Sequence, residues 1–512
     1  MIWGVVNKII KIICPFFIRT IIIKKLGVEY LGLNSMFTSL LSVLSLFELG
    51  FDTAVVYIMY GAVASDDKKK LKALFFYFRK IYWAVGLAIL CVGLICVPFL
   101  PYFIENIDQV PAEINIYLLY LLFLAQTVSS YFFGGYRNSI FHAFQRQDII
   151  NNIISVVTCA FFVIQFIVLL LFENYYCYAF TLPAISIFSN IFLFYASRKN
   201  YPDIYPEGKL SKEEKKELAK IVKGCFFSKI GGVLSTSFDN LIISTFLGLS
   251  VLAYYSNYSY IVTAIQGFLV VLYTSVQAGI GNSVILDEKE KNYRNMRVMT
   301  FIYDWVLGWC TYCLVFLFQP FITLWIGFEG LFPRITLLLI CMNFYISSQD
   351  AILGVYKAAL GLWWKDRYRC IVGGIFNLCI NILMVLLLKP YGAYTALSGV
   401  VVSTILSQIL ILTPWATWVV FKEYFREGLK EYIIQLILSF GVMIVTVIGS
   451  SPLFEKIPVV TGNLGWRNLV VKLILCVIIP NALWIFLLHR TKLFQEAKEF
   501  LIPRLKKKKI KT

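Results

Sequence analysis

The sequence predicts an all-α integral membrane protein of about fourteen transmembrane helices, in two six-helix lobes around a central cavity with two further helices at the C-terminal end. Three observations carry this. The 512 residues are 59% hydrophobic, 17% aromatic and only 15% charged, a balance that cannot keep apolar surface away from water in a soluble fold. Apolar runs recur along the whole chain with the charges between them, which is a helical membrane pattern and not the weak alternation of a β-barrel. The intervening loops alternate between basic and acidic, as insertion topology requires.

The spans follow in order. Span 2–23 carries Lys8, Lys11 and Arg19 and has no small-residue cleavage site after it, so it reads as a retained first helix and not a signal peptide. Span 33–60 is followed by Lys68, Lys69, Lys70, Lys72, Arg79 and Lys80, whereas the loop after span 80–100 has Glu105, Asp108 and Glu113 and no base. The first of these loops is therefore inside and the second outside. Spans 113–135, 149–171 and 175–196 keep the alternation, with Arg137 and Arg146, then Arg198 and Lys199, on the inner side. Spans 218–246, 252–284, 298–320, 331–355, 368–388, 391–420, 432–450 and 468–488 continue it. Their inner loops hold Lys289 to Arg297, Lys357 to Arg369 and Lys422 to Lys430, and the tail from Arg490 to Lys511 is the most basic segment of all. Both termini are expected in the cytoplasm. The net charge of +18 is thus spread through short loops as a topology signal, which argues against a nucleic-acid partner. Twelve cysteines lie mostly within spans, and the tight pair Cys310 and Cys313 has no histidine near it, so core packing is expected and no metal.

The chain repeats itself weakly. Leu26-Gly27 to Leu31-Gly32 and Ser35, between spans one and two, matches Leu247-Gly248 to Leu252-Ala253 and Ser256, between spans seven and eight. Tyr175 and Tyr178 opening span six are echoed by Tyr391 and Tyr394 opening span twelve. Six helices per repeat is an even number, so the halves run parallel about an axis along the membrane normal, with a cavity between them. The domains expected are an N-terminal lobe 1–197, a cytoplasmic linker 198–217, a C-terminal lobe 218–421, and helices thirteen and fourteen with a basic cytoplasmic tail over 422–512. The linker holds Pro202, Pro206 and Gly208, and Ser211 to Glu214 has the pattern of a capping box opening an amphipathic helix.

Ionised side chains inside a span are costly and need a partner or a wet cavity. Lys8, Lys11, Pro15 and Arg19 form one stripe of span one; Asn34, Thr38, Ser45, Glu48 and Asp52 form one of span two. Taken as straight antiparallel helices, these place Glu48 level with Lys8 and Lys11, with Arg19 about 12 Å nearer the outer face. The structural alternative is that all of these are ion pairs fixing helix register. Span seven presents Lys229, with Ser228, Gly232, Ser235 and Asp239 on one face, and span eight lines up Ser259, Gln266, Tyr273 and Gln277, which can equally be interhelical glue. Asp304, Asp350, Asn377 and Asn381 read as satisfying neighbours. There is no phosphate-binding Gly-x-x-x-x-Gly-Lys-Ser/Thr loop, and His142 and His489 are the two histidines, so neither nucleotide hydrolysis nor other enzymatic chemistry is expected, and no cofactor.

The stretch Arg19 to Leu40, with Leu44-Ser-Leu-Phe-Glu48-Leu-Gly50, resembles the start of Wzx-type oligosaccharide flippases of the multidrug/oligosaccharidyl-lipid/polysaccharide exporter superfamily. Asp239-Asn-Leu-Ile-Ile-Ser244, Leu247-Gly248 and Tyr254-Tyr-Ser-Asn257 resemble that family's seventh and eighth helices. The resemblance implies a two-lobed V-shaped fold in the bacterial inner membrane that passes undecaprenyl-diphosphate-linked oligosaccharides to the outer leaflet, beside a polysaccharide polymerase and glycosyltransferases. On that reading Arg19, Lys11, Lys8, Lys229, Gln266 and Asn257 face substrate, and Glu48, Asp52 and Asp239 pair with cations or couple transport. The alternative is a cation-coupled multidrug exporter, or an exporter of another lipid-linked precursor, in the same superfamily.

Overall fold

In a computed structural model of the chain the backbone is described for residues 2–48 and 51–509, and side chains are described except at 1–9, 11, 47–50, 52–53, 109, 223–232, 234–235 and 502–512. The described chain is helical, and it forms two compact units, Met1–Ser256 and Asn257–Thr512. The six-plus-six division above follows the repeat, whereas these units follow packing; their boundary falls inside one continuous helix.

The first unit begins with α1 (Ile2–Lys25), α2 (Glu29–Leu44), α3 (Phe51–Ala64) and α4 (Lys68–Cys96). Span two is thus not one straight helix: α2 ends at Leu44, Ser45–Glu48 makes a tight single turn, and the chain resumes as α3. The depth match of Glu48 with Lys8 and Lys11 assumed continuity across that point and loses its geometric basis. Next come α5 (Ile116–Phe132), α6 (Asn138–Ala143), α7 (Gln147–Phe172) and α8 (Tyr175–Asn200). The α5 axis and the short helix after it are bent by 46°, at a turn where Gly134 takes φ +100°, a value that glycine reaches without Cβ strain.

Before α9 (Lys212–Leu247), the connector docks on the start of α4 through Lys68–Asp203 at 3.0 Å and Lys72 over the Tyr205 ring at 3.7 Å. The expected capping box opens α9: Ser211 Oγ accepts from Glu214 N at 3.1 Å, and a Glu214 oxygen accepts from Ser211 N at 2.8 Å. That backbone donor holds the Glu214 carboxyl below the usual range. α9 packs along α2 and α3.

Helix α10 (Leu249–Leu286) carries the chain into the second unit, which continues with α11 (Lys289–Trp325), α12 (Arg334–Ser348) and α13 (Ala351–Ala359), the last two separated at Gln349 and Asp350. α14 (Arg369–Leu388) and α15 (Ala393–Ser407) form a hairpin in which Asn377 bonds Thr404, Asn381 bonds Ser403, and Ser407 Oγ reaches Gly373 O at 2.8 Å. Both asparagines therefore satisfy neighbours, as expected. A wide turn at Gln408–Leu412 precedes α16 (Thr413–Val420), where Pro414 supplies no amide and its ring would crowd an ordinary helical turn. α17 (Leu429–Glu455) and α18 (Gly462–Leu488) pack on α11 around Tyr312, Phe316, Phe454 and Cys476. The segment expected as a basic tail begins as another helix, α19 (Lys492–Lys509), seated by Phe494 against Trp305 at 5.9 Å.

Ten spans among the described residues are long and apolar enough to cross a membrane, or eleven if α5 with its bent partner is one span. The other spans of the expected fourteen are α1, the interrupted α2 and α3, and α9. Charge inside the helix, the interruption and undescribed side chains leave these outside that criterion.

Candidate functional site

Two polar sites stand out, one in each unit. In the first unit the two repeat blocks meet. Gly32 lies so close to the second block that a Cβ there would stand 2.3 Å from the Leu249 carbonyl oxygen. Ser250 Oγ donates to Glu29 at 3.1 Å, and Asn240 donates to Ser39 Oγ at 2.9 Å. Beside this contact Arg19 Nη2 donates to Ser256 Oγ at 2.6 Å. The sequence offers Arg19 no acid at its own depth in span two; the fold gives it a hydroxyl partner from α10.

Around Arg19 the described wall is largely aromatic. Tyr175 and Tyr178 open α8 with ring centroids 5.3 Å apart, both buried and within electrostatic reach of the guanidinium. Tyr30 packs on Tyr175 at 4.9 Å, and Asn34 donates to the Tyr175 hydroxyl at 3.4 Å. Their sequence echo diverges in setting, since Tyr391 is 77% exposed.

Asp239 is buried in the first unit. The side chains of Lys8, Lys11, Glu48, Asp52 and Lys229 lie outside the described residues. Asn257 and Gln266 are not brought together: nine residues along α10 put them on opposite faces, with Asn257 fully buried and Gln266 half-buried.

The second unit has an open polar cavity of about 280 Å³ with Tyr273, Gln277, Asp350, Lys357 and Arg369 among its lining residues. The span-eight stripe supplies the first two. The sequence places both cations in an inner loop as topology charges, yet both are largely buried. Lys357 pairs with Asp366, and Arg369 Nε donates to the same Asp366 oxygen at 2.9 Å while its Nη1 reaches Leu412 O at 3.3 Å. One carboxylate thus holds two cations, and Asp350 stands within electrostatic reach of both. Arg137, also counted as a loop charge, is buried, with Nη1 donating to Ser197 Oγ at 2.6 Å and its guanidinium 4.2 Å from the Phe194 ring. The missed signal for Lys357 is its place inside the apolar run 351–360, where a topology charge has no reason to sit.

A second carboxyl in this unit is more isolated. Asp304 on α11 is fully buried, with Ser439 and Gln349 as polar neighbours, and neither carboxyl oxygen has a well-formed hydrogen bond. Among the described residues no three His, Cys, Asp or Glu side chains are grouped as a metal site.

Many apolar spans, helix interruptions and charged groups buried within the helices define a multi-pass helical membrane protein. Comparison with solved structures agrees. The lipid II flippase MurJ in an inward closed conformation superposes with TM-score 0.64 at 14% identity, over 95% of this chain and 98% of that one. A multidrug resistance MATE family transporter of the MOP superfamily, inward-facing, gives 0.57 at 12% identity over 78% and 93%. A single-site mutant of the Vibrio cholerae MATE transporter VcmN gives 0.54 at 13% over 83% and 96%. No curated protein matches the sequence. Residues 1–277 match the family described as polysaccharide biosynthesis protein, more than half of the chain, and the chain belongs to that family, a flippase family of the MOP superfamily.

Proposed function

We propose that this protein moves undecaprenyl-diphosphate-linked oligosaccharide repeat units from the inner to the outer leaflet of the bacterial cytoplasmic membrane for surface polysaccharide synthesis, by alternating access. Family membership over residues 1–277 is the observation that carries the reading, and a fold shared with a lipid II flippase supports it. In this reading 1–197 and 218–421 are the moving lobes, 198–217 links them, 422–512 carries the added helices, and both termini are cytoplasmic.

Arg19 engages the pyrophosphate. Its planar donors can hold two phosphate oxygens at once, and one of them already reaches the Ser256 hydroxyl beside the site. Lys8, Lys11 and Lys229 add positive potential; Gln266 offers its amide to sugar hydroxyls, and Asn257 does so in a state of the cycle that uncovers it; Glu48, Asp52 and Asp239 pair with cations or couple transport. The partners are the lipid-linked substrate, the membrane lipid, a polysaccharide polymerase and glycosyltransferases. The test is depletion of the protein in its own cells. Lipid-linked repeat units should accumulate on the inner leaflet, and unchanged leaflet distribution with normal surface polysaccharide would remove the proposal.

A further inference from the structure

A second cleft of the second unit shares none of the lining residues of the polar cavity. It is about 500 Å³, a size within the roughly 300–1,000 Å³ of small-molecule sites, and is walled by α11, α12, α17 and α18. Its surface is mostly apolar, with Phe316, Met443, Ile444 and Val447 among the lining residues. Three charged residues line it. Two neutralise each other, because Arg334 Nη1 lies 2.8 Å from Glu455 where α12 begins and α17 ends. The third, Lys472 on α18, is 5% exposed and makes no hydrogen bond or ion pair with any described residue.

Its depth is set by the helix. Trp466, 54% exposed, precedes it by six residues and belongs at the headgroup level that tryptophan favours. Lys472 is then about 9 Å deeper along α18, and a lysine stem can carry its ammonium back toward the headgroups. A cation there is costly without an anion, and the bilayer anion within reach of that stem is a lipid phosphate.

We infer that this cleft holds one acidic glycerophospholipid of the surrounding bilayer, with its phosphate on Lys472 and one acyl chain along the apolar wall. The ammonium supplies the charge complement, and the ion pair at Arg334 and Glu455 leaves Lys472 as the uncompensated group among the described lining residues. The inference concerns the bilayer around the transporter and is independent of the cargo.

The test is native mass spectrometry of the full-length delipidated protein titrated with phosphatidylglycerol, phosphatidylcholine or undecaprenyl phosphate, with melting temperature measured in parallel. Wild type should retain one phosphatidylglycerol at least ten-fold more tightly than phosphatidylcholine, and should melt higher with it. Lys472→Gln should lose that preference at least ten-fold while melting no lower than wild type without lipid. Ile444→Trp, which fills the cleft from a partly exposed position and leaves the lysine in place, should lose the lipid too. Equal phosphatidylglycerol retention by wild type and Lys472→Gln would overturn the site. Tighter retention of undecaprenyl phosphate, with displacement of phosphatidylglycerol, would overturn the assignment to a bilayer phospholipid. Transport is not read in any arm, so either failure leaves the flippase proposal standing.

Discussion

Replacing Asp366 by Asn removes the one carboxylate that Lys357 and Arg369 share. The Asp366 and Lys357 side chains are 5% and 7% exposed and that of Arg369 is 15%, so surface screening does little to reduce the effect. Breaking a buried ion pair from one side costs about 3–5 kcal/mol, because the cation left behind has lost its water and its partner. Here two cations are left. The polar cavity beside them admits water, and Asp350 stands across it as a partial replacement, so the low end, about 3 kcal/mol, is expected. That is roughly a 150-fold shift toward the unfolded form. For a unit of this size it lowers the melting temperature by about 6–12 °C.

The assay is thermal unfolding of purified protein in detergent, with a double-mutant cycle through Lys357→Met. Since the methionine removes one of the stranded cations and keeps the packing volume, the double variant should recover at least half of the loss. A melting temperature for Asp366→Asn within about 2 °C of wild type would refute the argument that this carboxylate neutralises the pair.

Gly32→Ala puts a Cβ against the Leu249 carbonyl, so membrane-inserted folded protein should fall sharply on size-exclusion of a fluorescent fusion; Gly61→Ala, with no atom within 4 Å of the added carbon, should leave it unchanged. Arg19→Ala should abolish surface polysaccharide at near-normal expression, and Arg19→Lys should retain part of it. Ser256→Ala, which removes the hydroxyl and keeps the guanidinium, should export at close to the wild-type rate, and export lost equally in all three would mark the Arg19–Ser256 bond as structural. Cysteine accessibility should report cytoplasm at Lys69, Ser211 and Lys365 and the outer side at Asp108 and Lys456; Lys365 is chosen over its neighbour Asp366, which is buried.

Hydropathy and loop charge made the helical membrane class readable because both are properties of a segment alone. The interruptions were harder. Gly134-Gly135 marks the bend after α5, but the break between α12 and α13 falls at Gln349-Asp350, with neither glycine nor proline to announce it. Buried cations were the least legible. A lysine in an inner loop and a lysine folded onto a carboxylate nine residues later look alike to a topology rule, and Lys357 differs only in what the chain brings to it. Lys472 is passed over by the loop rule for another reason: it stands within span 468–488, where an isolated cation inside an apolar run needs an account that only the packing supplies.

The repeat shows how far spacing can be taken as structure. Matching Leu26-Gly27 to Leu247-Gly248 treats the blocks as equivalent, yet their contact is not symmetric. Gly32 receives the Leu249 backbone at a distance that excludes any Cβ, while Ala253, its counterpart, carries a Cβ and is fully buried. Duplication therefore explains why two similar blocks exist. It does not explain why one keeps glycine; the close approach of Leu249 does. The same logic applies to the tyrosine echo, where Tyr175 sits in the wall beside Arg19 and Tyr391 is largely exposed. A repeat identifies positions that began alike, and what each now does has to be read from the atoms it meets.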